Sequence, residues 1–300
     1  MNSPTTQQAL LLDVGNQRTK WRRLAFGRGT PIEAGVFETR AIDSLSEDAM
    51  GELFGGHGAL SGVDVAFCCV AGEGRAEALC SFMSQRSVAR IKRLRPVHSG
   101  LGDQSIVVRG RRVRLRSHYA STLGADRWAA ALGVVDLEAH WPMSAGQKTL
   151  LVVSAGSATV IDGLRLTLDT SSGRCLEFLG GFIGPGFLQM QTCLASGTAD
   201  LAGLMRSPNQ SQKERPTSGL PDWPTQSADA IDAGIEMGQL APLAWITRPD
   251  GILVHGGAAR DWMNAFDLWV ARHWTCPVEH CPELIFSGLR QALEGSFDID

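Results

Sequence analysis

Two short stretches carry residue types suited to holding phosphate. LLLDVGNQRTK (10–20) ends an apolar run in a turn with Asp13, Gly15 and Asn16, and VVSAGSATVID (152–162) repeats the pattern with Ser154, Gly156 and Ser157. An offset of 141 positions sets Asp13 on Ser154, Gly15 on Gly156 and Asn16 on Ser157. In each copy an apolar strand runs into a turn of small residues and out into a second strand. Two such hairpins facing each other would offer backbone N–H groups and small hydroxyls or amides to a polyphosphate from both sides. The plainer alternative is a pair of ordinary tight turns after core strands. Gly256 and Gly257 follow a further apolar run, ILVH (252–255), and are either a strand-to-helix turn or a place where a ligand meets bare backbone.

The elements that must position these turns read as alternating strands and helices. Strands are expected at 10–14, through TKWRRLAF with Arg22 and Arg23 exposed, at 63–70, twice within 149–169, in GRCLEFLGGFIGPG, where the strand runs into a glycine-rich turn, and at 251–255. Helical spacing marks 75–85, a small-residue helix starting near Ala125 or Asp126, FLQMQTCLASGTADLAGL, SADAIDAGIEMGQLAPLAWI with Ser227 as its cap, and WMNAFDLWVARHW. PELIFSGLRQAL reads as a short strand followed by a short helix. The GRG at 27–29 reads as a hairpin turn, and the Pro- and Ser-rich 206–227 as a mobile surface loop.

Composition bounds the function. A chain of 300 residues with a formal charge of −3 has room for one large domain or two, and lacks the strong basic excess of a dedicated nucleic-acid binder. RGRRVRLR (109–116) alternates Arg with Val and Leu, as a half-exposed strand does, although it could also track a nucleic-acid backbone. The polar start MNSPTTQQ has no basic region before its short apolar run, which reads as neither signal peptide nor membrane span. Seven cysteines without repeated C-x-x-C spacing suit reduced thiols in the cytoplasm, with Cys68 and Cys69 expected to be buried. Cys276, His280 and Cys281 hint at a metal but lack a fourth ligand.

Taken in order, DVGNQRTKW (13–21), LGADRW (123–128), AGSATVID (155–162), GGFIGPG (180–186), CLASGTADL (193–201), SADAIDAG (227–234) and HGGAA (255–259) resemble the type III pantothenate kinases, which include the Bvg accessory factor homologues. The resemblance covers nearly the whole chain. It implies an α/β fold of duplicated ribonuclease H-like (actin-like ATPase) domains with mixed sheets flanked by helices, divided here as 1–120 and 121–300. It also implies ATP-dependent phosphorylation of the primary hydroxyl of pantothenate, the first step of coenzyme A synthesis, in a cytoplasmic homodimer.

The resemblance further implies individual roles. Asp126 would be the catalytic carboxylate that orients the hydroxyl and accepts its proton, although a first-turn acid is also favoured by the helix dipole alone. Arg127 would meet the pantothenate carboxylate, with Gly124, Thr198 and Tyr119 on the substrate side. Read without the family, Arg127 is a solvated helix arginine and Thr198 a helix cap. Asp13 would hold Mg²⁺ or its waters. Gly15, Asn16, Gly156, Ser157 and Thr159 would cradle phosphate, Lys20 would neutralise it, and Gly256 and Gly257 would approach the adenosine.

Three departures from the family pattern matter. Ser154 stands where many members carry an aspartate that binds K⁺ or NH₄⁺, so monovalent-cation activation is expected to be weak or absent. Gln17 replaces a threonine or serine. Tyr119 lies five residues before Gly124 rather than seven, without the intervening proline, so it either fills the same space or leaves a rebuilt wall. These departures also raise a second function, a catalytically weak regulatory or nucleic-acid-associated homologue that keeps the kinase fold, against which the retained Asp13 and Asp126 argue.

Overall fold

The computed structural model describes residues 8–25, 31–44, 54, 60–97, 104–108, 111–119, 121–137, 146–169, 173–198, 201–205, 223–295 and 297–299. The turn expected at 27–29 and most of the loop expected at 206–227 lie outside them. The chain forms two compact units, one of 1–146, 167–178 and 283–300, the other of 147–166 and 179–282. This division follows packing rather than a single break in the sequence, because the C-terminal segment returns to the first unit.

In the first unit, β1 (Gln8–Val14), β2 (Arg18–Ala25) and β3 (Pro31–Glu38) form an antiparallel meander. β4 (Asp64–Cys69) and β5 (Arg90–Arg93) then add in parallel beside β1, giving the order β3-β2-β1-β4-β5. Helix α1 (Glu73–Ser84) makes the β4–β5 crossover. The apolar run of β1, the central strand between antiparallel β2 and parallel β4, is buried on both faces. β6 (Gln104–Val108), β7 (Arg111–Ser117) and the first part of β10 (Gly173–Pro185) pair in the same unit. Val113 and Leu115 are buried while Arg112 and Arg116 face solvent, the half-exposed strand expected of RGRRVRLR.

The second unit repeats the topology. β8 (Gly146–Ala155), β9 (Ala158–Asp169) and β10 run consecutively, and β11 (Gly251–His255) and β12 (Val278–His280) add in parallel, giving β10-β9-β8-β11-β12. Matching strand orders in the two units are the signature of a duplicated α/β fold, and the expected architecture is borne out. Helices α3 (Phe187–Gly197), α4 (Ser227–Leu240) and α5 (Ala259–His273) belong to this unit. α4 begins at Ser227 itself, with Gln226 at the cap position and no side-chain capping bond, so Ser227 is not the cap, and it stops at Leu240 rather than running to Ile246, because Pro242 sets a 3-10 turn over Ala241–Trp245.

Helix α2 (Ala125–Leu137) is buried along almost its whole length and packs closely on α6 (Leu284–Glu294). Small residues make the approach possible. A Cβ at Gly288 would stand 1.8 Å from the Ala129 carbonyl oxygen, and one at Gly133 would stand 2.1 Å from that of Leu284. Asp136 on α2 accepts from Arg290 and, at 2.9 Å, from Gln291 on α6. The short strand expected in PELIF is absent because Leu284, Phe286, Leu289, Ala292 and Leu293 are buried as one helical stripe. The adjacent strand lies earlier, at Val278–His280. β2 is fastened to α6 through Arg22, which grips Glu283 in a two-pronged ion pair and lies 4.6 Å above the Phe286 ring. Arg23, expected to be exposed, is buried and donates to the Phe54 carbonyl.

Candidate functional site

The first turn sits where β1 ends, at the carboxyl edge of a parallel strand, the usual binding edge of an α/β sheet. Gly15 closes it by donating to the Arg18 carbonyl at 3.2 Å, and a Cβ there would stand 3.0 Å from that oxygen. Thr39 braces the turn from outside: its hydroxyl donates to the Gly15 carbonyl at 2.7 Å and its N–H to Gln17 at 3.0 Å. Asn16, Gln17 and Arg18 are exposed at the tip. Strand pairing sets Lys20 opposite Asp13 on β2 and Cys68 opposite it on β4. The Cys68 thiol lies 3.7 Å from Asp13 Oδ1.

Asp13 keeps some exposure, yet burial pushes its pKa up to about 6 from 3.8, opposed by Lys20 and reinforced by the charge of Asp126. Asp126 is also raised by burial, against the pull of the Arg127 N–H at 2.8 Å and the Arg127 charge. The fold thus brings Asp13 within the field of Asp126, a residue far along the unit's sequence. Gly124 makes room for Asp126, since a Cβ there would lie 2.6 Å from its Oδ1.

Arg127 is buried, not solvated. Its guanidinium lies 5.0 Å from the Tyr119 ring centroid and 5.5 Å from that of Phe178, and it donates to the Tyr119 hydroxyl at 2.9 Å. Tyr119 and Phe178 meet edge to face with centroids 5.6 Å apart. Tyr119 therefore reaches the LGADRW segment despite its unusual spacing. A cavity of about 590 Å³ opens beside Gly124 and Ala125, with Val70, Glu73, Arg93 and Arg95 among its walls.

The second turn is built in the other unit from three loops. Gly156 donates to the Ala158 carbonyl at 3.0 Å, and Gly156 and Ser157 are exposed at the tip. Gly186 packs onto them, donating to the Ser157 carbonyl at 3.0 Å, and its Cβ would lie 2.3 Å from the Gly156 carbonyl oxygen. Gly256 adopts φ +104 and would set a Cβ 2.2 Å from the Ala155 carbonyl, so glycine is required there on both counts. Gly257 has open space around its Cα. Ser154 lies at the end of β8, half-buried, opposite His255 of β11. Thr159 is buried and spends its proton on Gln239. Thr198 caps the end of α3, is exposed, and donates to the Leu194 carbonyl at 2.7 Å.

Cys68, Thr39, Phe178 and Gln239 are not legible as site residues in the sequence. Each acts through a partner distant in sequence, and only strand pairing or helix packing reveals it. Of the two cysteines expected to be buried, Cys69 is only partly so. Among the described residues no three His, Cys, Asp or Glu side chains converge as a metal site, the Cys276–Cys281 segment included.

By sequence, the comparisons with known proteins point to one family. The sequence pattern describing type III pantothenate kinases matches residues 9–248. A type III pantothenate kinase of Burkholderia ambifaria is 30% identical over 304 residues, covering 96% of each chain. One from Polaromonas sp. is 30% identical over 230 residues, 75% of this chain and 73% of its own. A solved structure from Campylobacter jejuni, of a Baf family protein, covers 95% of this chain and 96% of its own at 17% identity, with a TM-score of 0.48.

The raised pKa of Asp13 has a signed consequence for stability. The folded state holds this proton more tightly than the unfolded chain, so the charged carboxylate costs stability above pH 6 and the cost fades as pH falls toward 4. In metal-free buffer Asp13→Asn should be more stable than the wild type at pH 8, by about 1–3 kcal/mol after allowing for partial exposure. Denaturant midpoints at pH 8, 6 and 4 should show the gap closing, and a pH-independent gap would contradict the assignment.

Proposed function

The chain belongs to the type III pantothenate kinase family, and from that premise we propose how its residues act when phosphate passes from ATP to the primary hydroxyl of pantothenate, giving 4'-phosphopantothenate. The observation that carries the reading is Asp126 at the head of α2, set close against Gly124 and beside the Arg127–Tyr119 contact, with burial raising its carboxyl and that of Asp13. Such carboxylates cost stability and gather where chemistry needs them.

Asp126 orients the substrate hydroxyl and takes its proton as the phosphoryl group arrives. Its raised pKa makes it a better base than an open-water carboxylate. Arg127, fixed in direction by the Tyr119 hydroxyl and by two aromatic faces, presents a guanidinium to the pantothenate carboxylate. The cavity beside Gly124 has the volume of a small-ligand site. Thr198 has committed its proton to Leu194, so its remaining lone pairs are available to accept from a substrate hydroxyl or amide.

Each exposed tip, Gly15–Asn16 in the first unit and Gly156–Ser157 in the second, is suited to a phosphate group of ATP, and Lys20 supplies positive charge beside the first. The bare backbone at Gly256–Gly257 receives the adenosine. Thr159 serves from behind, through its bond to Gln239. Asp13 fits Mg²⁺: a cation beside it relieves both the desolvated charge and the repulsion from Asp126. With no cluster of three protein ligands among the described residues, such an ion would complete its shell with water and phosphate oxygens, as Mg²⁺ commonly does. When bound it neutralises phosphate charge.

An ADP-release assay with pantothenate, with glycerol and acetate as control acceptors, tests the activity directly. Asp126→Asn should lower turnover by roughly 10²–10⁴-fold. Unchanged turnover would remove Asp126 from the proton-accepting role.

Ser154 brings no charge to the position where many relatives hold a monovalent cation, and we read this chain as independent of K⁺ and NH₄⁺. Initial rates should stay flat as KCl rises at constant ionic strength. A strong saturable increase would overturn this.

We also read the working unit as a homodimer. Phe182 and Ile183 of β10 and Leu188 of α3 are exposed, and α3, apolar on average, has no buried residue of its own. A second copy covering this face would bury it and bring Thr198, at the end of α3, to the interface. Leu188→Glu should shift sedimentation toward the monomer and reduce activity; an unaltered dimer would place the interface elsewhere. Among the described residues no helix is long and apolar enough to cross a membrane, and all seven cysteines are free thiols, which supports a reducing, cytoplasmic setting.

A further inference from the structure

Gln239 on α4 is 3% exposed, a buried amide with both ends engaged. Its Oε1 accepts from the Thr159 hydroxyl, and its Nε2 donates to the Pro185 carbonyl at 2.8 Å. The Pro185 oxygen can only accept, so it fixes which end of the amide faces which partner. Nε2 also lies 2.8 Å from the Met190 sulfur on α3.

The two main partners flank one feature. Thr159 stands two residues beyond Ser157 on the outgoing strand of the second turn. Pro185 precedes Gly186, which packs on that turn with its N–H on the Ser157 carbonyl at 3.0 Å. The Gly186 contact leaves no space for even a Cβ, so a shift of Gly184–Gly186, where β10 passes into α3, is transmitted to Gly156 and Ser157. A single buried side chain therefore holds both walls of the turn. The Gly156-to-Ala158 bond does less, because it closes the turn on itself without anchoring it to the body of the unit.

We propose that Gln239 is a positioning residue for nucleotide binding, which sets the shape of the Gly156–Ser157 turn by bridging Thr159 to Pro185. The inference rests on the reading of that turn as a phosphate cradle. Removing the amide leaves the buried Thr159 hydroxyl without its acceptor and frees the partly exposed Pro185 carbonyl from the body of the unit, so the turn must move to satisfy the hydroxyl. The loss falls on ATP, because the substrate-side groups Gly124, Asp126 and Arg127 are carried by α2 and the residue before it, in the other unit, and Thr198 stands at the far end of α3 from Pro185.

Steady-state kinetics on the full-length protein tests this with Gln239→Leu, Thr159→Val and Thr159→Ser. Gln239→Leu should raise KM for ATP about tenfold, while KM for pantothenate at saturating ATP stays within about twofold of wild type. Thr159→Val should raise KM for ATP in the same way, and Thr159→Ser, which keeps the hydroxyl, should restore it. Equal rises in both KM values, or a lowered Tm with both KM values unchanged, would assign Gln239 a purely structural role. If Gln239→Leu does not fold, the Thr159 pair decides: Val and Ser giving the same KM for ATP would overturn the proposal. Failure of the wild type to phosphorylate pantothenate from ATP would instead strike the underlying reading of the site.

Discussion

Helices α2 and α6 approach until backbone meets backbone, at Gly288 against Ala129 and at Gly133 against Leu284. No side chain could stand between them without moving α2, and α2 opens with Asp126 and Arg127. The close packing is reinforced by Asp136, which receives bonds from Arg290 and Gln291, and by the Arg22–Glu283 pair that ties the start of α6 to β2. β2 is also the return strand of the first turn. One helix from the chain's end thus fixes the acid at the head of α2 and the hairpin that presents Asp13. A carboxylate pair that repels itself needs such rigidity, because a looser scaffold would relax by letting the charges separate or hydrate.

The two units share a strand order but have been put to different electrostatic uses. In the first, the turn follows an aspartate enclosed enough to feel its own charge, with Lys20 across the hairpin as partial compensation. In the second, the equivalent residue is Ser154, and the polar investment lies in hydrogen bonds instead: Gly186 on Ser157, and Gln239 between Thr159 and Pro185. Neutral groups can be satisfied in place by such bonds, whereas a carboxylate asks for a counter-charge. The asymmetry accompanies the exchange of one residue type and a tighter closure, since Gly15 closes on Arg18, three residues on, and Gly156 on Ala158, two residues on.

Much of this organisation was legible in the residues. The paired turns, their strands and the helix beginning at Ala125 follow from apolar runs, small-residue turns and helical spacing, all local properties. What escaped depends on contacts between distant segments. PELIF has enough β-branched and aromatic character to suggest a strand, yet Leu284, Phe286 and Leu289 are claimed by a helix whose buried stripe fits α2. Arg23 and Arg127 look like solvated arginines until Phe54, Tyr119 and Phe178 are seen around them. The glycines of GGFIGPG read as a turn, yet Gly180–Pro185 continue β10, and packing gives two of the glycines their reason. Gly181 leaves room for Asp162, whose Oδ1 would lie 2.2 Å from a Cβ, and Gly186 leaves room for the second turn.

Tyr119 shows how far spacing can mislead when contact is what matters. A tyrosine two residues closer to Gly124 than the family pattern would be expected to project elsewhere. The hydroxyl nevertheless accepts from Arg127, and the ring packs on Phe178, a residue contributed by β10. Arg127 cannot turn away without leaving both aromatic faces and the phenol at once, so its direction is set by three contacts rather than by a count along the chain. A shortened connection can thus supply the same restraint, provided that the aromatic partner on the neighbouring strand stays in place. Phe178, unremarkable in the sequence, therefore matters as much to the orientation of Arg127 as the tyrosine that the motif advertises.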